Sequence, residues 1–129
     1  MRQIRWSVGM GAAIASLVLI LSSGPGVSGT GAIANPALIR LTNAEVTQQL
    51  QALPGWETDG QRLYRTYQFA NFVEAIAFIN RLVAPAEAAA HHPDLTIVYN
   101  QVTVSLTTHD AGGLTQQDFD LARQISELE

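Results

Sequence analysis

The stretch NFVEAIAFINRLVAPAEAAAHHPDLTIVYNQVTVSL, residues 71–106, changes its period partway along, and that change decides the fold. Asn71 followed by Glu74 is a helix-start signal, because an asparagine side chain can accept from the free amides of a first turn. Phe72, Ile76, Ile79 and Val83 then recur at helical spacing. Pro85 lies inside this run and has no amide hydrogen to give, so a kink or a loosened turn is expected near Arg81 to Leu82, with the helix resuming through Ala88 to Ala90. Pro93 requires it to end. Beyond that point Val102, Val104 and Leu106 alternate with Thr103 and Ser105, the two-residue period of a strand with one buried face. Asn100 and Gln101 are open to two readings, a tight turn after TIVYN or a bulge in one longer strand.

On the N-terminal side, Thr42 and Glu45 form a capping box, with Leu41 able to staple onto Val46, and a helix from about Asn43 to Ala52 follows. Pro54-Gly55 ends it. Two extended runs, Trp56 to Thr58 and Arg62 to Phe69, flank Asp59-Gly60, a pair that tolerates hairpin torsions. The inward face of the second run is ambiguous, since Arg65 and Tyr64 break its alternation. On the C-terminal side, Gly112-Gly113 interrupts, and Leu114 to Asp118 opens a last helix carrying Phe119, Ala122 and Ile125. The order is α-β-β-α-β-β-α. It predicts an α+β two-layer sandwich, a four-stranded antiparallel sheet with helices on one face. The other face would be bare unless a second subunit covered it, which favours a homo-oligomer, a dimer or a tetramer.

The first 34 residues differ from the rest. Arg2 and Arg5 precede an apolar run from Val8 to Leu21, followed by SSGPGVSG, the layout of an export signal. The run is shorter than the roughly 20 residues that span a bilayer, so cleavage is favoured over a permanent anchor. Ala32-Ile33-Ala34 offers a cut before Asn35, and one near Ser28 or Gly29 is a further option. Residues 1–34 are thus expected to be a signal peptide or membrane anchor, the only part with membrane contact, and residues 35–129 the functional domain. That domain is expected in the periplasm, a lumen or the extracellular space, or tethered to a membrane. Losing Arg2 and Arg5 takes the formal charge from −4 to −6. With no lysine and only scattered arginines, the domain has no basic footprint for nucleic acid. It has no cysteine, so no disulfide supports it.

Three histidines are the chemical signal. Glu87 and His91 are four apart, which on a helix would let the carboxylate accept from the imidazole and fix its tautomer, with His92 turned about 100 degrees away. His109 is expected at the far end of the last strand, beside Thr107, with Asp118 at the start of the last helix approaching the same rim. Any one of these residues alone reads as an ordinary surface or helix-end residue, and Asp118 also as the cap acid of Thr115. A zinc set is a further reading, weakened because adjacent histidines on a helix diverge and no i, i+4 histidine pair is present.

The run Glu87, His91-His92-Pro93, Tyr99, His109 and Asp118, at these spacings, resembles the signature of the pterin-4a-carbinolamine dehydratase family, also called 4a-hydroxytetrahydrobiopterin dehydratases. The resemblance extends over Gly55-Trp56, the strand ending in Phe69, the helix from Phe72, VYNQVTVSLTTHDAGGLTQQD and the closing Ala122-Arg123 helix, roughly Leu41 to Leu128. It implies that His91 and His109 are an acid and base pair, that His92 contacts the pterin, and that Glu87 and Asp118 orient the histidines. It also implies that Ala90, Thr107, Thr108 and Asp110 line the substrate pocket. The implied reaction dehydrates a 4a-hydroxytetrahydropterin to the quinonoid dihydropterin, with no metal or other cofactor. Relatives of this fold also act as binding partners and as assembly factors for photosynthetic enzymes. Leu95 departs from the family, standing where an aromatic is frequent.

Overall fold

A computed structural model describes residues 35–129; the expected signal or anchor, residues 1–34, lies outside the described residues. Helix α1 (Asn43–Leu50) starts as the capping box dictates. The Glu45 carboxylate accepts from the Thr42 amide at 2.8 Å, and this bond, with that from the Thr42 hydroxyl, holds the carboxyl below its ordinary range. A two-residue strand β1 (Glu57–Thr58) pairs with β2 (Leu63–Gln68), and the Asp59 carboxylate closes the hairpin by accepting from the Gln61 and Arg62 amides, both at 2.8 Å. Helix α2 (Phe72–Ala89), strands β3 (Asp94–Val98) and β4 (Gln101–Leu106), and helix α3 (Gln116–Ser126) follow. Short 3-10 turns sit at Pro36–Leu38 and His109–Ala111. The sheet is antiparallel throughout, in the order β1-β2-β4-β3.

Leu63 and Tyr67 of β2 and Val102, Val104 and Leu106 of β4 are buried beneath α2 and α3. The ambiguous β2 face resolves once Arg65 is seen on the core side: its guanidinium carbon stands 4.4 Å from the Tyr67 ring centroid, and it pairs with Glu129 at 2.6 Å. The guanidinium thereby covers the ring face while its charge is met by Glu129.

Helix α2 runs continuously from Phe72 to Ala89 with Pro85 inside it. Of the periodic stripe, Phe72 and Val83 are 49 % and 52 % exposed while Ile79 packs against the core, and Ala75, Phe78, Leu82 and Ala86 form the fully buried stripe. The small alanines let the helix approach its neighbours closely, which a hydrophobicity pattern alone does not reveal. The tight turn falls on Tyr99-Asn100, not Asn100-Gln101, with Val98 paired to Gln101 and the Asn100 side chain donating to the Phe69 carbonyl at 2.6 Å. The sheet face turned away from the helices is largely polar, with Val98 exposed at its edge. Thr66 and Thr103 hydroxyls meet at 2.9 Å on it, and Gln101 donates to Gln68 at 2.6 Å. Exposed apolar surface gathers instead on α2 (Phe72, Val73, Val83) and on β3 and its turn (Leu95, Ile97, Val98, Tyr99).

Candidate active site

The site forms where the end of α2 meets the start of α3. Helix α2 ends at Ala90, whose backbone is left-handed at φ 47° and whose amide donates back to Ala86 and Glu87 carbonyls. The His91 amide reaches the Ala86 carbonyl at 3.2 Å. This is how a helix discharges its last carbonyls, usually on glycine. It also parts the two histidines that follow. His91 turns inward and His92 outward.

The i, i+4 pairing of Glu87 with His91 therefore does not form, because the helix has unwound before His91. Glu87 is bonded to His92 instead, Oε1 to Nε2 at 2.9 Å, in an exposed position. His91 Nε2 lies 2.7 Å from Oδ1 of Asp118.

Asp118 is fully buried. A buried carboxylate is costly unless its oxygens are satisfied, and here they are. Oδ2 accepts from the Thr115 amide at 2.8 Å and from the Thr108 hydroxyl at 2.8 Å, with the Thr115 hydroxyl at 3.3 Å. Thr108 and Thr115 hydroxyls are 2.8 Å apart. Asp118 is thus both a helix-cap acid and the partner of His91; the two readings are one arrangement. With Asp118 as the carboxylate, Nε2 of His91 is the donor, and Nδ1 is left as the acceptor of the neutral ring.

His109 is not on the strand. Strand β4 ends at Leu106, Thr108 continues its buried side, and His109 opens a 3-10 turn closed by reciprocal backbone bonds between Thr108 and Gly113 at 3.1 and 3.3 Å. Gly112 takes φ 68° to make the return, a conformation glycine adopts freely. The turn lifts His109 and Asp110 onto the rim.

A cavity of about 480 Å³ joins these elements. Its walls include His91, His92, His109, Ala90, Thr107, Thr108 and Asp110, so seven of the expected residues share one pocket. Glu87 is not among them and touches the pocket only through His92; Asp118 lies beneath it behind His91. Leu38 and Gln117 also line it. Sequence reasoning missed both; it named Thr115 only as a cap, which it is. A polar residue at Gln117 beside an expected cap gave a weak hint; nothing marked Leu38, which precedes the first periodic segment. Among the described residues, no three or more His, Asp or Glu side chains converge in a metal-holding group.

Comparison with known proteins follows this geometry. The family model described as pterin 4 alpha carbinolamine dehydratase matches residues 39–128. A Picosynechococcus protein named "Putative pterin-4-alpha-carbinolamine dehydratase" is 57 % identical over 89 residues, covering 69 % of this chain and 97 % of its own. A Thermomicrobium roseum protein of the same name is 54 % identical over 91 residues, covering 70 % and 98 %. A crystal structure described as a transcriptional coactivator/pterin dehydratase from Brucella melitensis superposes with a TM-score of 0.66 at 36 % identity, covering 69 % of this chain and 97 % of that one. By both measures, the chain belongs to the pterin 4 alpha carbinolamine dehydratase family.

Proposed function

We propose that this protein is a hydro-lyase that dehydrates a 4a-hydroxytetrahydropterin to the quinonoid dihydropterin by histidine acid and base catalysis. The observation that carries the reading is the 2.7 Å bond between His91 and the buried Asp118 at the wall of a pocket shared with His92 and His109. A ring whose Nε2 hydrogen is held by a carboxylate keeps Nδ1 ready to take a proton, so His91 serves as the base for the substrate N5 hydrogen. As that N–H bond breaks, its electron pair forms the N5 to C4a double bond and the C4a–O bond breaks. His109, in its protonated state, donates to the departing hydroxyl, which leaves as water. A side chain with an ordinary pKa near 6.5 can hold either state near neutrality. His92 contacts the pterin, and Glu87 restrains His92.

Stopped-flow ultraviolet absorbance of chemically generated 4a-hydroxytetrahydropterin, mixed with the protein and with a His91→Ala, His109→Ala double variant, tests this. Fast dehydration lost in the folded double variant is the expected result; equal rates would sink the reading. The leader-like residues 1–34 support export or anchoring, which cell fractionation checks. The apolar surface on α2 and β3 supports a homo-oligomer, which sedimentation checks.

A further inference from the structure

Leu38 reaches the pocket from a segment that lies outside the part matching the family model, residues 39–128. Its position is built rather than incidental. The Asn35 side chain accepts from the Ala37 amide at 3.1 Å, Pro36 supplies a fixed φ at the start of the turn, and the Leu38 amide donates to the Asn35 carbonyl at 2.9 Å. Two residues on, Arg40 forms a bridge to Thr115 and the Leu41 amide donates to the Leu114 carbonyl at 2.8 Å. The segment is thereby strapped to the turn that presents Asp118. Leu38 takes no part in the core and is 45 % exposed, yet among the described residues it is the one large apolar side chain in a pocket otherwise lined by imidazoles, hydroxyls, an amide, a carboxylate and a methyl.

We propose that the Asn35–Leu38 segment is a strap through which Leu38 supplies the apolar wall of the binding pocket, packing against the flat face of a bound pterin and setting affinity. The inference rests on the dehydratase reading for its choice of ligand. An apolar contact made alike with ground state and transition state changes binding and leaves the chemical step alone. Leu38 therefore acts on KM and Kd rather than on kcat.

The test uses the full-length protein and its Leu38→Met, Leu38→Ala and Leu38→Asp variants. Binding of oxidised biopterin is followed by its fluorescence, and dehydration of 4a-hydroxytetrahydropterin by absorbance. Leu38→Ala is expected to raise Kd and KM about fivefold, from loss of roughly half a leucine's apolar contact, and Leu38→Asp tens of fold, because a bare carboxylate would have to be desolvated by the ligand. Leu38→Met should restore most of the affinity. In all three, kcat should stay within about twofold and the thermal midpoint should hold, which a merely structural role for an exposed residue would not predict. Wild-type affinity and KM in Leu38→Asp would overturn the strap and leave the dehydratase reading standing. Pterin bound by the wild type and weakened in Leu38→Asp, with no turnover in either, would uphold the strap and sink the dehydratase. No biopterin binding by the wild type would overturn both.

Discussion

The His91 side chain is 11 % exposed and bonded to a carboxylate with no exposure, whereas His92, the next residue, is 62 % exposed and bonded to a carboxylate that is 69 % exposed. Both pairs are histidine and acid at hydrogen-bond distance. Their surroundings separate them. An exposed pair competes with water and salt and holds its ring loosely. A buried pair with every acceptor occupied holds one tautomer and one orientation. Adjacency in the chain thus says little about equivalence in chemistry, and one left-handed residue, Ala90, sets the two apart.

The widest break in this contrast comes from Asp118. Asp118→Asn would present an amide where Nε2–H now donates, disfavouring the tautomer that leaves Nδ1 open; kcat is expected to fall on the order of 100-fold or more. Asp118→Ala should add a loss of about 2–3 kcal/mol in stability, measured by urea denaturation, since the Thr115 amide and Thr108 hydroxyl would be buried without their acceptor. Next, single histidine variants sharpen the pairing. His91→Ala should cost on the order of 100-fold in kcat, against roughly tenfold for His92→Ala, carried mainly by KM; equal effects would dissolve the distinction. Ala90→Gly should raise stability by about 0.5–1 kcal/mol in thermal unfolding, because glycine takes the left-handed conformation without a side-chain clash. The smallest effect is expected of Glu87→Gln, within about 0.5 kcal/mol of wild-type stability and within about threefold of its KM.

Much of this site was legible before the structure. The capping residues Thr42, Asn71 and Thr115, the alternation Val102 to Leu106 and the spacing of His91, His92, His109 and Asp118 each carry a local physical signal, and the fold follows from them. What stayed hidden depends on three-dimensional packing. Helical spacing identified an apolar stripe on α2 but not which stripe faces the sheet, because large apolar residues stand on both, Phe78 and Leu82 on one and Phe72 and Val83 on the other. Pairing Glu87 with His91 assumed one more helical turn than Ala90 allows. The threonines around Asp118 are ten residues and three residues from it, and a β4 extension, a glycine turn and a helix cap bring them together. Leu38 has no periodic neighbours at all, so only the folded chain shows which wall it forms.

The close approach of Arg40 to Gly113 has a consequence for local opening. A methyl at Gly113 would sit 2.8 Å from the Arg40 guanidinium, and with the Gln61 amide turned to satisfy both neighbours, its oxygen accepts from Arg40 at 3.1 Å while its nitrogen donates to the Gly112 carbonyl at 3.1 Å. The segment bearing Leu38 and the turn bearing His109 are therefore clasped at one point. In hydrogen exchange, the amides of Leu41 and Thr108, which bond to Leu114 and Gly113, should open as a single cooperative unit, so that the pocket loosens on two sides at once or on neither.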